Sequence, residues 1–403
     1  MTTPDTELPV FPGDRDARCP FDPAPEYTQW RASGGLRKVN WQGHEVWAVS
    51  RYEDIKTAMT DPRISAQVAA QQSSAEHHGG NMPKLFPRMD DPEHAVLRRM
   101  LTKDFTVKRV NALRPEIEKM ANEFIDTMVA GGSTADLVQA YALPIPSLVI
   151  SLLLGVPYSD HGLFQEITGV LMSRTATEED KQQANGKIFG YLYELVARKE
   201  REPDDALISR LIHEYLPTGE LTRETIAMNS FILLSAGHET TANMIGLGTL
   251  ALLENPDTLA RIRDTDDPKV VSGAVEELLR YLTIVHSLVA RVAKEDIEIG
   301  GTLVRAGEGL IMNLPAANRD PAFLDDPDTL DIDRSTRTHM AFGYGIHQCL
   351  GQTLARAELE IALPTLLRRL PNLRLAVPLE QIRFRNDMSI YGVHELPVTW
   401  EKP

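Results

Sequence analysis

The sequence predicts a mainly α-helical protein with small β elements. Three observations carry that prediction. A helical pattern opened by Thr222 runs unbroken to Glu254, about 33 residues, before Asn255 and Pro256 end it. At 1.5 Å per residue it spans roughly 50 Å, enough to cross a whole protein. Residues 107–220 carry further helical patterning, broken at Gly131-Gly132, at Pro144 and Pro146, and at Leu154-Gly155-Val156-Pro157. Strand-like patterning is confined to short stretches before residue 50 and after residue 283.

Taken in order, residues 1–24 read as a Pro-rich arm on the surface, and 25–403 as one domain. Glu26 to Ala32 reads as a short helix. Leu36–Val39 and Val46–Val49 read as a hairpin around Gln42-Gly43. Ser50 and Glu53 form a candidate capping box for a helix reaching about Thr60. Residues 66–88 form a long polar loop with Gly79-Gly80 in its middle; loops of that length are usually functional or disordered. Asp91-Pro92 opens a helix that places His94 and Arg98 on one face, four residues apart. The nearly continuous apolar run 148–154 predicts burial, and 158–174 and 180–200 read as two further helices. An amphipathic helix over about 269–283 carries Glu277 and Arg280. Residues 284–291 read as a strand, 297–299 and 303–304 as a hairpin about Gly300-Gly301, and 373–400 as more strand, with Ile390-Tyr391 as a turn tip.

Bulk properties narrow the partners. Lys and Arg number 42 against 57 Asp and Glu, a net charge of −15, which argues against nucleic acid and an anionic membrane surface. The N-terminus is polar and acidic, without the features of a signal peptide, and no run of about 18 apolar residues predicts a membrane span. Cys19 and Cys349 lie in dissimilar contexts, so a reducing cytoplasm is the simpler reading and Cys19 a bystander.

Two stretches carry the chemistry. Ala341-Phe342-Gly343-Tyr344-Gly345-Ile346-His347-Gln348-Cys349-Leu350-Gly351 puts a cysteine on a Gly-rich loop just before a helix start at Gln352. Free amides and the positive dipole end there favour thiolate, so Cys349 is a metal ligand or a nucleophile. The centre of the long helix holds Ser235-Ala236-Gly237-His238-Glu239-Thr240-Thr241. A mid-helix Gly costs about 1 kcal/mol against Ala, and a buried carboxylate costs several unless partnered. Such residues at the core of the longest helix call for a functional reason.

The order Phe-Gly-x-Gly-x-His-x-Cys-x-Gly resembles the haem-binding loop of the cytochrome P-450 superfamily, the haem-thiolate monooxygenases, in its soluble, ferredoxin-dependent actinobacterial branch. No cysteine-protease signature surrounds Cys349. The resemblance spans about Cys19 to Trp400 and implies the cytochrome P-450 fold, with haem b (iron protoporphyrin IX) between the long helix and the cysteine loop. Cys349 would ligate the iron. His94, Arg98, Arg291 and His347 would anchor the propionates, and Phe342, Gly343, Ala236 and Gly237 would line the haem, Gly237 leaving room for dioxygen. The Ala/Gly-Gly-x-Asp/Glu-Thr-Thr likeness makes Thr240 the hydrogen-bond partner of activated dioxygen and Glu239 the proton source. Glu277, Arg280 and Arg334 would form a buried network bracing the loop. The segments 66–88 and 158–200 would be lids over a substrate pocket drawn from Leu85, Phe86, Met172, Leu233, Ala236, Val285, Leu288 and Ile390. A proline common in the family's strand near Leu288 is missing here, which leaves local pocket shape open.

The activity so implied inserts one atom of O2 into a C–H bond of a bulky apolar molecule, such as a macrolide, terpenoid, steroid or xenobiotic. Ferredoxin and its reductase would pass electrons from NAD(P)H to a monomer, with Arg98, Arg99, Lys103 and Arg356 as a basic docking patch. The alternatives are a nitric oxide reductase or peroxygenase on the same fold, or a haem sensor or carrier without turnover; the Glu239-Thr240 pair disfavours both.

Overall fold

A computed structural model describes residues 7–16, 18–67 and 85–401. The helices are α1 (Glu26–Ala32), α2 (Tyr52–Thr60), α3 (Glu93–Thr102), α4 (Val107–Gly131), α5 (Pro144–Leu154), α6 (His161–Met172), α7 (Glu178–Arg201), α8 (Leu207–Tyr215), α9 (Arg223–Leu253), α10 (Pro256–Asp264), α11 (Pro268–Leu282), α12 (Leu314–Ala317) and α13 (Gln352–Arg369). The strands are β1 (Leu36–Trp41), β2 (His44–Val49), β3 (Ile64–Ser65), β4 (Thr134–Asp136), β5 (Ala290–Ala293), β6 (Ile297–Ile299), β7 (Thr302–Val304), β8 (Gly309–Met312), β9 (Arg374–Leu375) and β10 (Pro397–Thr399). A five-stranded sheet runs β1-β2-β8-β5-β3, with β2 and β8 parallel and its other pairs antiparallel. A small sheet β4-β10-β9 and the hairpin β6–β7 complete the β content. The architecture is mainly helical, as the sequence predicts.

The long helix α9 is the axis of the molecule. Thr222 caps it by accepting the Thr225 amide proton. Its apolar residues face every direction and most are buried, because α5, α7 and α13 pack around it. This is the arrangement that a helix hydrophobic on all sides demands.

Several local expectations are corrected. Ser50 does not cap α2; its hydroxyl meets Asn313 Nδ2 at 3.2 Å, and the free Tyr52 amide donates to Asp320 Oδ2 at 2.9 Å. A distant carboxylate has displaced the local cap. The N-terminal arm is not merely laid on the surface. Phe11 and Phe21 are buried, and Arg15 donates to the carbonyls of Leu282 and Thr283 at 3.0 Å. The predicted strand 284–291 begins only at Ala290; before it, Ile284 and Val285 make single contacts with the C-terminal segment. The tail 373–400 holds only β9, β10 and isolated bridges. In the run 148–154, Leu152 is half exposed on the outer face of α5.

Candidate functional site

The cysteine loop owes its shape to glycine. Gly343 and Gly345 both sit at φ +70°. A Cβ on Gly345 would lie 2.8 Å from the Met59 carbonyl oxygen, so neither backbone angle nor space admits a side chain. Gly345–His347 forms one 3-10 turn, and the Cys349 amide donates to the Phe342 carbonyl at 2.8 Å. The thiol is exposed to an interior cavity of about 360 Å³. Burial pushes its pKa up, while the amides of Gly351 and Gln352 and the cations Arg98 and Arg356 act in the opposite sense. A thiolate ligated to a cation would keep those amide donors and lose the penalty of an unpaired charge.

The cavity lies between that loop and the middle of α9. Phe342, Gly343, His347 and Cys349 line one side, and Ala236, Gly237, Thr240 and Thr241 the other. Gly237 serves packing as well as access: the space a Cβ would take is filled by Ile150 of α5, 2.9 Å away. Thr240 donates its hydroxyl to the Ala236 carbonyl at 2.7 Å. Glu239, one residue earlier, is not among the cavity-lining residues. It is buried against Arg385 Nη1 at 3.0 Å and Asn243 Nδ2 at 3.1 Å.

At one end of the cavity, basic groups gather, and of them only His94 meets an acid among the described residues. Arg291 is buried, donates only to its neighbour's carbonyl, Ala290 O at 2.7 Å, and forms no ion pair among the described residues; burial lowers its pKa to about 10. Arg98 donates to the Gln348 carbonyl at 2.5 Å. The His94 ring is 4.1 Å from that of His347. His94 Nδ1 meets Asp91 at 3.2 Å, but its buried Nε2 has no partner. Burial, then Arg291, His94 and Arg98, push His347 down to about 3. A pair of anions would relieve each of these groups at once. The residues present therefore fit a flat, dianionic group with a thiolate-seeking metal.

Buried charge braces the loop. Arg280 makes a two-pronged pair with Glu277, at 2.7 and 2.8 Å, and donates to the carbonyls of Asn318, Pro327 and Thr329. Arg334 does not join this pair. It bonds Asp331 at 3.3 Å and the Asp325 carbonyl, and the place expected for it is taken by the Asp331 amide, which donates to Glu277 at 3.0 Å. A second cluster was not anticipated from sequence. Glu276 binds Arg356 at 2.5 and 3.0 Å and His339 at 3.1 Å, and Arg356 lies 4.5 Å from the Phe342 ring. Glu276 is visible in the sequence as a neighbour of Glu277, but its partners lie 63 and 80 residues away. The expected docking patch is largely spent internally. Arg356 and Arg98 serve the loop, Lys103 pairs with Glu214 at 2.7 Å, and of the four only Arg99 is exposed without an ion pair.

Among the predicted pocket residues, Phe86, Leu233, Ala236, Val285 and Leu288 line the cavity. Leu85, Met172 and Ile390 do not. Leu85 precedes the turn Phe86–Arg88 that turns Phe86 inward; Met172 packs on the core while its carbonyl accepts the Ser389 amide; Ile390 is bridged to Val285 and buried behind it. Ile150, Ile232 and Val289 line the cavity and were not foreseen, because their apolar neighbours carry the same pattern. Of the expected lid 66–88, residues 68–84 lie outside the described residues. The other segment expected to be a lid, 158–200, holds α6 and most of α7. Among the described residues, no helix is long and apolar enough to cross a membrane.

A helical fold with a cysteine loop facing the centre of its longest helix across a cavity is the cytochrome P450 architecture that the resemblance implied, and comparison agrees. Residues 31–385 match the family model of cytochrome P450. Cytochrome P450-SU2 of Streptomyces griseolus is 52% identical, over 99% of this chain and 100% of the relative. The crystal structure of CYP105P1 in complex with filipin I superposes with a TM-score of 0.91 at 42% identity, covering 98% of this chain and 100% of that one. That of the mycinamicin VIII C21 methyl hydroxylase MycCI from Micromonospora griseorubida, bound to mycinamicin VIII, gives 0.90 at 39%, covering 98% and 100%. The chain belongs to the cytochrome P450 family and is an oxidoreductase of its monooxygenase class. The family implies a haem cofactor.

Proposed function

We propose that this chain is a haem b monooxygenase, working as one domain over 25–403, that hydroxylates a bulky, uncharged, apolar small molecule of macrolide, terpenoid or related kind. The observation that carries the reading is the cavity itself: a thiol at one wall, the Thr240 hydroxyl at the other, and, at the end where propionates would lie, Arg98 and Arg291 without an ion pair among the described residues beside His347 and the unpartnered Nε2 of His94. Cys349 would hold the iron, and Arg98, Arg291, His94 and His347 the propionates. Bound haem with a thiolate ligand supplies reduction of O2 and cleavage of its O–O bond.

The chain's own residues do the rest. Phe86, Ile232, Leu233, Val285 and Leu288 offer only apolar contact, which favours a substrate without charge and excludes water from its C–H bonds. Thr240 already donates to the Ala236 carbonyl, so its lone pairs remain free to accept a proton-bearing neighbour in the cavity. Glu239, once it parts from Arg385, would take a proton from solvent and pass it on toward Thr240. The macrolide-binding relatives support the substrate class. Electrons from ferredoxin and its reductase, drawn from NAD(P)H, complete the scheme; resemblance to the ferredoxin-dependent branch supports that part.

The test is an absorption spectrum of the dithionite-reduced protein under carbon monoxide. A strongly red-shifted Soret band is expected, and lost in C349A. A band typical of histidine or neutral thiol ligation would overturn the assignment of Cys349, and folded protein without a Soret band would overturn haem itself.

A further inference from the structure

One polar side chain from each of three helices meets at a small cavity of about 10 Å³: Ser151 of α5, Thr168 of α6 and His238 of α9. All three are buried. Ile150 lines this cavity and the large one alike, as the wall they share.

The imidazole of His238 decides what the small cavity can hold. The Ser147 hydroxyl has one proton and donates it to the Leu143 carbonyl at 2.7 Å. His238 Nδ1, 2.5 Å from the same oxygen, is therefore the donor in their bond. With its proton on Nδ1 the ring is neutral, and Nε2 carries a bare lone pair. Burial favours that neutral form by lowering the pKa. Nε2 is fully enclosed and has no partner among the described residues. The Ser151 and Thr168 hydroxyls make no hydrogen bond among the described residues either. Buried polar groups are nearly always satisfied, so three unsatisfied ones around one cavity point to a shared partner. No carboxylate, lysine or arginine lines the cavity, and its volume is that of a single water.

The placement matters for α6. This helix packs mainly on α7, where Phe164 meets the Tyr191 ring edge-on at 5.1 Å and Glu166 faces Lys187 at 3.9 Å. Toward α5 and α9 it makes no hydrogen bond and no ion pair among the described residues.

We propose that this cavity binds one water molecule, which donates to His238 Nε2, exchanges hydrogen bonds with the Ser151 and Thr168 hydroxyls, and so joins α6 to α5 and α9. Its bonds balance: one proton goes to Nε2, the other to one hydroxyl oxygen, and the remaining hydroxyl donates to the water. The water belongs to the scaffold and not to the substrate site, because Ile150 stands between the two cavities. The joint depends neither on haem nor on turnover. Only its consequence for ligand entry rests on the reading of α6 as a lid.

The test uses the holoenzyme. A crystal structure that resolves ordered water should show one molecule within hydrogen-bond distance of both His238 Nε2 and Thr168 Oγ1. No density there, or Nε2 bonded directly to a protein group, overturns the proposal. Amide hydrogen exchange then compares wild type, T168V and T168S. T168V keeps the side chain's shape and removes the hydroxyl, so the amides of α6 should exchange roughly tenfold faster, the worth of one hydrogen bond. T168S keeps the hydroxyl and should stay near wild type. Unchanged exchange in T168V, or equal acceleration in T168S, overturns the proposal, since packing and not the hydroxyl would then hold the helix. Association of a bulky apolar ligand, followed by spin-state shift, should also be faster in T168V. Faster amide exchange with unchanged association would leave the water joint standing and overturn the reading of α6 as a lid.

Discussion

The two walls of the cavity are built by opposite means. The cysteine wall is held by charge. Glu277 with Arg280 and Glu276 with Arg356 and His339 tie α11, the segment 318–340 and α13 to the loop, and the Asn318 side chain accepts the Met340 amide at 2.7 Å. The wall proposed for substrate, from Phe86 through Ile232 and Leu233 to Leu288, has no ion pair of its own among the described residues and turns apolar side chains to the cavity. Directional bonds fix one sulfur atom in one place. Non-directional contact leaves a surface that accepts a bulky molecule by shape. The comparison predicts large, structural effects on the first wall and small, ligand-specific effects on the second.

The largest effect is expected at Arg280, which is fully buried with Glu277. Arg280→Met leaves an uncompensated carboxylate and strands three carbonyls, at a cost of about 3–5 kcal/mol. Loss of folded, haem-loaded protein is expected by thermal unfolding and Soret absorbance. The double substitution with Glu277→Met should recover part of that loss; no recovery would mean that the pair matters through its carbonyl contacts rather than its charge.

Glu276 gives a pH signature of similar origin. Burial alone would raise its pKa, but the hydrogen bonds from His339 and Arg356 outweigh that and bring it from 4.5 to about 2. A depressed carboxyl contributes stability that is fully present above pH 4.5 and is lost as pH falls toward 2. The contribution is on the order of 3 kcal/mol. Denaturant midpoints of wild type should therefore fall between pH 4.5 and 2 more steeply than those of Glu276→Gln. Parallel curves would show that the loop is braced elsewhere.

A smaller effect belongs to the cavity's basic end. Arg291→Gln removes one buried cation that forms no ion pair among the described residues. Folding should be unharmed or slightly improved without haem. Haem retention, measured by transfer to apomyoglobin, should weaken by about tenfold, the value of one charge-assisted bond of 1.5 kcal/mol or so. Equal retention would detach Arg291 from the propionates.

The same contrast explains what the sequence disclosed. The cysteine loop was legible because backbone angles and charge leave few choices: Gly343 and Gly345 need positive φ, and Cys349 must precede a helix. The long helix was legible because residues apolar on every side have one solution. His94, Arg98, Arg291 and His347 come together as the motifs implied, although 253 positions separate the first from the last. What failed depended on contacts between distant segments. Arg334 lost its place to a backbone amide, Ser50 lost its cap to Asp320, and no local pattern announces that Arg385 will meet Glu239. The pocket wall was only half legible, because Ile390 and Val285 carry the same apolar signal while one lies behind the other.

That last pair offers the finest test. Val285 lines the cavity, whereas Ile390 is bridged to it and is 1% exposed in the core. Val285→Ala removes about two methylene equivalents of apolar contact from any ligand that reaches this wall, worth up to about 1.6 kcal/mol, or roughly tenfold in Kd. Ile390→Val removes one methylene from the packing behind it and should lower stability by about 0.5–1.5 kcal/mol while leaving Kd within error. Both constants come from one pair of measurements, spin-state titration with a single bulky apolar ligand and thermal unfolding. If Ile390→Val moves the ligand constant as far as Val285→Ala does, the substrate wall extends through the C-terminal segment and is two layers deep. If only Val285→Ala moves it, the wall is a single layer of side chains on a backbone held from behind, and specificity in this protein is set by the few apolar groups that face inward.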